Sequence, residues 1–212
     1  MMRMRLLLVL TAIFALSAQN SPAQIRFTGL RLGYLDPKGA KPGLILGMDL
    51  TAQVDESVEL GINLNGFRRS YQQVTTVAQQ VSAGGVVEKQ LQKELEFTTF
   101  FVPIMGEAIV HFGQEDFHLF ANGGLGYEML WNNENNFLDN KKERRYYSGF
   151  TWLLGGGFQY RIGSRSAVIG ELFYHNATVK RDQNKNTQGL PVWSQVDLSG
   201  LGFRGGLRFG LW

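Results

Sequence analysis

The chain has 212 residues, with 21 Lys and Arg against 18 Asp and Glu, 26 glycines and no cysteine. That balance offers no basic stripe for nucleic acid, and the lack of thiols excludes disulfides, thiolate metal sites and cysteine nucleophiles. Few prolines, and glycines set inside strand-like runs, point to a single all-β domain.

Residues 1–23 have the layout of a cleaved signal peptide. Met1-Met2-Arg3-Met4-Arg5 is a short basic start, Leu6 to Leu16 an apolar core, and Ser21-Pro22-Ala23 supplies small residues before a cut ahead of Gln24. The apolar core is too short for a membrane helix, which needs roughly 20 residues. Losing Arg3 and Arg5 would leave residues 24–212 close to neutral.

From there an alternation of period two, the side-chain period of a β-strand, marks eight segments: 25–35, 44–54, 58–71, 95–112, 117–131, 146–162, 167–179 and 198–212. In the second, Leu44, Leu46, Met48, Leu50, Ala52 and Val54 oppose Gly47, Asp49, Thr51 and Gln53. In the third, Val58, Leu60, Ile62 and Leu64 oppose Glu59, Gly61, Asn63 and Asn65. The fourth contains Pro103, which cannot donate to a ladder, so a bulge or break is expected there. In the fifth, Leu119, Ala121, Leu125, Tyr127, Met129 and Trp131 face away from Asn122, Gly124, Gly126 and Glu128.

The sixth segment is the most regular. Tyr146, Phe150, Trp152, Leu154, Phe158, Tyr160 and Ile162 make one face, while the other is small and polar. From Phe150 to Tyr160 the strand runs roughly 33 Å at about 3.3 Å per residue. Tilted by about 40°, that projects to roughly 25 Å, the height of the apolar band on a membrane barrel. In the last segment Leu201, Phe203, Leu207, Phe209 and Leu211 oppose Arg204 and Arg208.

The connections alternate in length. Tight polar turns at 54–57, 113–116 and 163–166 interleave with longer loops at 72–94, 132–145 and 180–197, plus a short one at 36–42. Short turns on one side and long loops on the other fit an eight-stranded antiparallel up-and-down transmembrane β-barrel with both ends of the barrel chain on the short-turn side. A soluble barrel would turn the apolar set inward. Two features oppose that: the polar face is Gly, Asn, Glu and Arg, and amphipathic rings cluster near strand ends. These rings, Tyr34, Tyr127, Trp131, Trp152, Tyr160 and Tyr174 with Trp212, suit an interfacial girdle.

The terminal run Gly200-Leu201-Gly202-Phe203-Arg204-Gly205-Gly206-Leu207-Arg208-Phe209-Gly210-Leu211-Trp212 resembles the last strand of outer-membrane β-barrels, and the whole of 24–212 resembles the small eight-stranded OmpA/OmpX-type barrels. The resemblance implies a bacterial outer-membrane location. It also implies Leu207, Phe209, Leu211 and Trp212 as the signal read by the barrel-assembly machinery. Trp212 stands one position out of phase with the other three.

An eight-stranded barrel is just wide enough for side chains to fill it. Its inward face is expected to hold Arg31, Arg161, Arg204 and Arg208 against Asp49, Glu59, Glu107, Glu128 and Glu171 as a salt-bridged lumen, a structural plug or else a narrow gated path. Of the three histidines, His111 and His118 flank a turn and are expected to be solvated or interfacial. His175 lies in Tyr174-His175-Asn176-Ala177-Thr178, loosely resembling the lipid A deacylase barrels, but Ala177 stands where their serine nucleophile would be. Glu171 shares a face with His175 and is a candidate partner for it. No cofactor, metal or catalysis is expected. The expected partners are outer-membrane lipid, lipopolysaccharide (through the basic run Lys141-Lys142-Glu143-Arg144-Arg145) and ligands of the loops, for a monomeric protein.

Overall fold

The computed structural model describes residues 26–81, 87–113, 116–137, 141–163, 165–183 and 192–209. Among these lie nine strands: β1 Arg26–Pro37, β2 Gly43–Asp55, β3 Val58–Val81, β4 Val87–Phe112, β5 Phe117–Asn136, β6 Lys141–Arg161, β7 Ser166–Gln183, β8 Val192–Asp197 and β9 Gly200–Phe209. β1 to β7 pair antiparallel with their chain neighbours, and β9 pairs with both β7 and β1. The ring is therefore closed, and the chain is an eight-staved transmembrane β-barrel.

The eighth stave begins earlier than position 198. β8 lies against β7 in the register that β9 continues, since Thr178 faces Asp197 and His175 faces Gly200 at one offset. The interruption is at Leu198-Ser199. Leu198 turns fully into the barrel, while the Ser199 hydroxyl takes hydrogen bonds from the Asn176 side chain at 3.0 Å and the Ala177 N–H at 3.3 Å.

Pro103 makes no bulge. It pairs with Glu128 in an unbroken β4–β5 ladder, and on the β3 side the ladder resumes in the same register after leaving Val102 and Pro103 unpaired. The missing N–H is thus absorbed by bonds not made, without an inserted residue.

Within the expected loops at 72–94, 132–145 and 180–197, nearly all the described residues are strand. β3 and β4 stay paired out to Val81 and Val87, β5 and β6 to Asn136 and Lys141, and β7 and β8 to Gln183 and Val192. β4 alone has 26 residues. At about 3.3 Å each and a tilt of about 40°, that is roughly 65 Å of height, against an apolar band of about 25 Å. The hairpins therefore project as arms well beyond the band.

The faces follow the alternation. Leu125 is 63 % exposed, Leu172 71 % and Leu201 70 %, while Asp49, Glu128 and Thr151 are sealed inside. A continuous outward belt of this kind is stable only against another apolar phase, and here that phase is lipid.

Candidate functional site: a three-storey lumen

Inward side chains fill the barrel in three layers along its axis. The middle layer is ionic. Arg31 of β1 places Nε 2.7 Å from Asp49 Oδ2 of β2, and its Nη1 donates to Glu171 Oε2 of β7 at 2.6 Å. Arg204 of β9 grips the same Glu171 with two bonds, Nε to Oε2 at 2.7 Å and Nη2 to Oε1 at 2.9 Å. Asn122 Nδ2 bridges Glu107 at 2.7 Å and Glu171 at 2.9 Å, and Glu107 stands 3.8 Å from Arg31. Asn63 donates to Asp49 at 2.6 Å, Asn65 donates to Asn63, and Arg204 Nη1 donates to Asn65 Oδ1 at 2.9 Å. Seven strands contribute a polar side chain. β6 contributes Gly155, where a Cβ would come within 2.6 Å of Asn122 Oδ1 and 2.8 Å of Glu171 Oε1. Its bare backbone is what lets the network close.

The layer toward the short turns centres on Glu59. It accepts from Thr51 Oγ1 at 2.8 Å and His111 Nε2 at 2.6 Å, and is paired with Arg208. Arg208 also donates to Gln159 at 3.2 Å. A cavity of about 130 Å³ opens here, lined among others by Gln53, Glu56, Glu59, His111 and Gln159.

The layer toward the arms is apolar, which the sequence reading did not anticipate. Leu35, Ile45, Phe67, Phe101, Leu130 and Leu153 pack there, with Phe67 and Phe101 stacked at 4.3 Å. His175 stacks on Phe101 at 6.3 Å and donates from Nε2 to Glu128 Oε2 at 2.8 Å, with both side chains almost fully buried. Arg204 lies 4.9 Å over the Phe173 ring and joins this layer to the ionic one.

Of the expected ionic set, Arg31, Asp49, Glu59, Glu107, Glu128, Glu171, Arg204 and Arg208 lie buried inside the barrel, though at different levels. Arg161 does not. It ends β6 at the turn-side rim, about a third exposed and 3.7 Å from Asp116, because face parity says nothing about depth along the axis. Three guanidiniums thus reach four carboxylates, Asp49, Glu59, Glu107 and Glu171, while His111 also stands against Glu59 and His175 stands against Glu128. His111 is accordingly a lumen residue and not a solvated one, since it shares the inward phase of Met105, Glu107 and Ile109. Glu171 is not the partner of His175, because four residues of strand separate them by roughly 13 Å. Leu207 and Phe209 face outward on β9. Leu211, Trp212 and residues 1–23 lie outside the described residues.

All six girdle candidates point outward. Tyr34, Tyr127 and Tyr160 are well exposed, while Trp131, Trp152 and Tyr174 are half-buried against neighbouring rings. Among the described residues no group of side chains could hold a metal ion.

No family model matches the chain, and no curated protein matches it either. Among solved structures, Neisserial surface protein A is 10% identical over 87% of this chain and 96% of its own, with a TM-score of 0.51. Ail, the attachment invasion locus protein of Yersinia pestis, is 12% identical over 87% of this chain and 98% of its own, with a TM-score of 0.49. OprG from Pseudomonas aeruginosa is 13% identical over 88% and 97%, with a TM-score of 0.49. The likeness to the Neisserial protein establishes the fold, that of the small eight-stranded outer-membrane barrels.

Proposed function

We propose that this protein is a monomeric bacterial outer-membrane barrel that works by display, without transport or catalysis. Residues 1–23 direct export and are cleaved, the terminal strand guides insertion by the barrel-assembly machinery, and the aromatic rings hold the barrel at its two interfaces. The hairpin arms then present recognition surfaces outside the cell. The observation that supports this reading is the filled lumen: among the described residues an apolar aromatic layer is stacked on a bonded ionic one. Single-channel recording in planar bilayers tests it. No conductance steps are expected, and reproducible steps from the wild-type barrel would make it a channel.

An enzyme of the deacylase kind would need a nucleophilic hydroxyl beside an accessible histidine. Here Ala177 occupies the position in question, and His175 is buried against Phe101 and Glu128. Lipid A from cells expressing the wild type and a His175→Ala variant is therefore expected to give identical mass profiles. A difference between them would restore the catalytic alternative.

A further inference from the structure

The middle layer of the lumen does not balance its charge. Arg31 and Arg204 bring two positive charges, while Asp49, Glu107 and Glu171 bring three carboxyl groups. Each of the five residues is at most 4 % exposed, so bulk water does little to screen the difference. The flanking layers lend no cation. Arg208 and His111 are turned to Glu59, and His175 is turned to Glu128.

The three carboxyls are not equally placed. Glu171 takes Arg31 Nη1 at 2.6 Å, Arg204 at 2.7 Å and 2.9 Å, and the Asn122 amide at 2.9 Å. Asp49 has Arg31 Nε at 2.7 Å and the Asn63 amide at 2.6 Å. Glu107 receives only the Asn122 amide, on Oε1 at 2.7 Å. The guanidinium nitrogen within its reach, Arg31 Nη1, stands 3.8 Å away and is already bonded to Glu171. Glu107 Oε2 is buried with no hydrogen-bond partner among the described residues. Its ladder neighbours offer nothing, because Gly61 of β3 and Gly124 of β5 lie directly opposite. The other charges that reach it are Asp49 of β2 and Arg204 of β9.

We propose that Glu107 is a proton-binding site: in the closed barrel its Oε2 carries a hydrogen, taken from water as the strands come together. The layer is then neutral, two guanidiniums to two carboxylates. An unpaired O–H is far cheaper to bury than an unpaired anionic oxygen. Oε1 goes on accepting from Asn122, since one carboxylic acid holds both a donor and an acceptor. The other two acids are poorer carriers. A proton on Glu171 would weaken charge-assisted bonds from both arginines, and one on Asp49 would leave Arg31 Nε against a neutral group. Losing the Glu107 proton would return a lone negative charge to the sealed layer, so that proton is part of the plug.

Two measurements on the lipid-inserted barrel test this. An amide has the shape, the neutrality and the donor and acceptor of a protonated carboxyl, so the silent substitution identifies the carrier. Glu107→Gln is expected to keep the wild-type midpoint in urea unfolding, while Asp49→Asn and Glu171→Gln lower it. Infrared spectroscopy at neutral pH then reads the C=O stretch of un-ionised carboxyl groups. The wild type is expected to show such a band, shifted when its glutamates carry a 13C side-chain carboxyl, removed by Glu107→Gln and left in place by Glu128→Gln. A wild type without the band, or a band unchanged in Glu107→Gln, overturns the proposal. So does a Glu107→Gln barrel that fails to insert or loses as much stability as Asp49→Asn, since a neutral group would then have replaced a charged one. Loss of the band from Glu128→Gln instead would place the proton in the apolar layer, against the assignment.

Discussion

Glu171 is the residue on which the ionic layer turns. It accepts bonds from Arg31, Arg204 and Asn122, so its removal strands two buried guanidiniums. Breaking a buried pair by deleting one partner costs about 3–5 kcal/mol, and Glu171→Gln is expected to fall in that range in urea unfolding of the lipid-inserted barrel. Arg161→Gln, at the rim, is expected to cost no more than about 1 kcal/mol. Similar losses for the two would mean that the layer does not act as a unit. Asp197 gives a pH signature. The Ser199 hydroxyl and N–H, the latter at 2.9 Å, hold its carboxyl below the ordinary value of 3.8. A depressed carboxyl stabilises the fold above its unfolded pKa and loses that contribution as pH falls through the folded one. Acid unfolding below pH 3.8 should therefore be blunted in Asp197→Asn; identical acid limbs in the two proteins would refute this. Alternation places the eight ionic residues of the lumen on the inward face, since parity decides face, but it does not say which of them touch. It was not enough for Arg161, whose exclusion depends on height along the axis.

At the level of the strand, the instructive cases are the arms and the broken stave. Sequences above the belt are polar on both faces, as in Asn132 to Asn136 against Lys141 to Arg145, so hydrophobic periodicity falls silent while backbone pairing continues. That is why 72–94, 132–145 and 180–197 looked like loops. The break between β8 and β9 has the converse origin. Leu198 is fully buried in the apolar layer, and Ser199 ties the backbone beside it. Leu198→Ala is expected to cost about 2–5 kcal/mol by leaving a cavity there. A loss under about 1 kcal/mol in the same unfolding assay would show that the apolar layer collapses around the gap.

For the whole molecule, the decisive quantity is orientation. Leu125 faces lipid in the outward belt of β5, and an arginine near the bilayer midplane costs about 2–4 kcal/mol. Leu125→Arg is expected to lose stability in that range in lipid. No change at all would mean that the belt faces water, and the barrel would then be inside out. Closure also explains why small changes in the lumen should be felt broadly. Gly202 carries no side chain because a Cβ there would run into the Phe173 ring, which sits under the Arg204 guanidinium.

The order of residues alone determined the strands within the belt, the face each side chain takes and the short-turn end, because period-two patterning is local and survives without knowledge of the neighbours. Only the closed ring decided which inward residues share a level. Shear between staves brings Arg31, Glu171 and Arg204 to one height and stacks Phe67 on Phe101 above them. Those heights come from inter-strand register, a relation between distant segments that no single stretch of sequence contains.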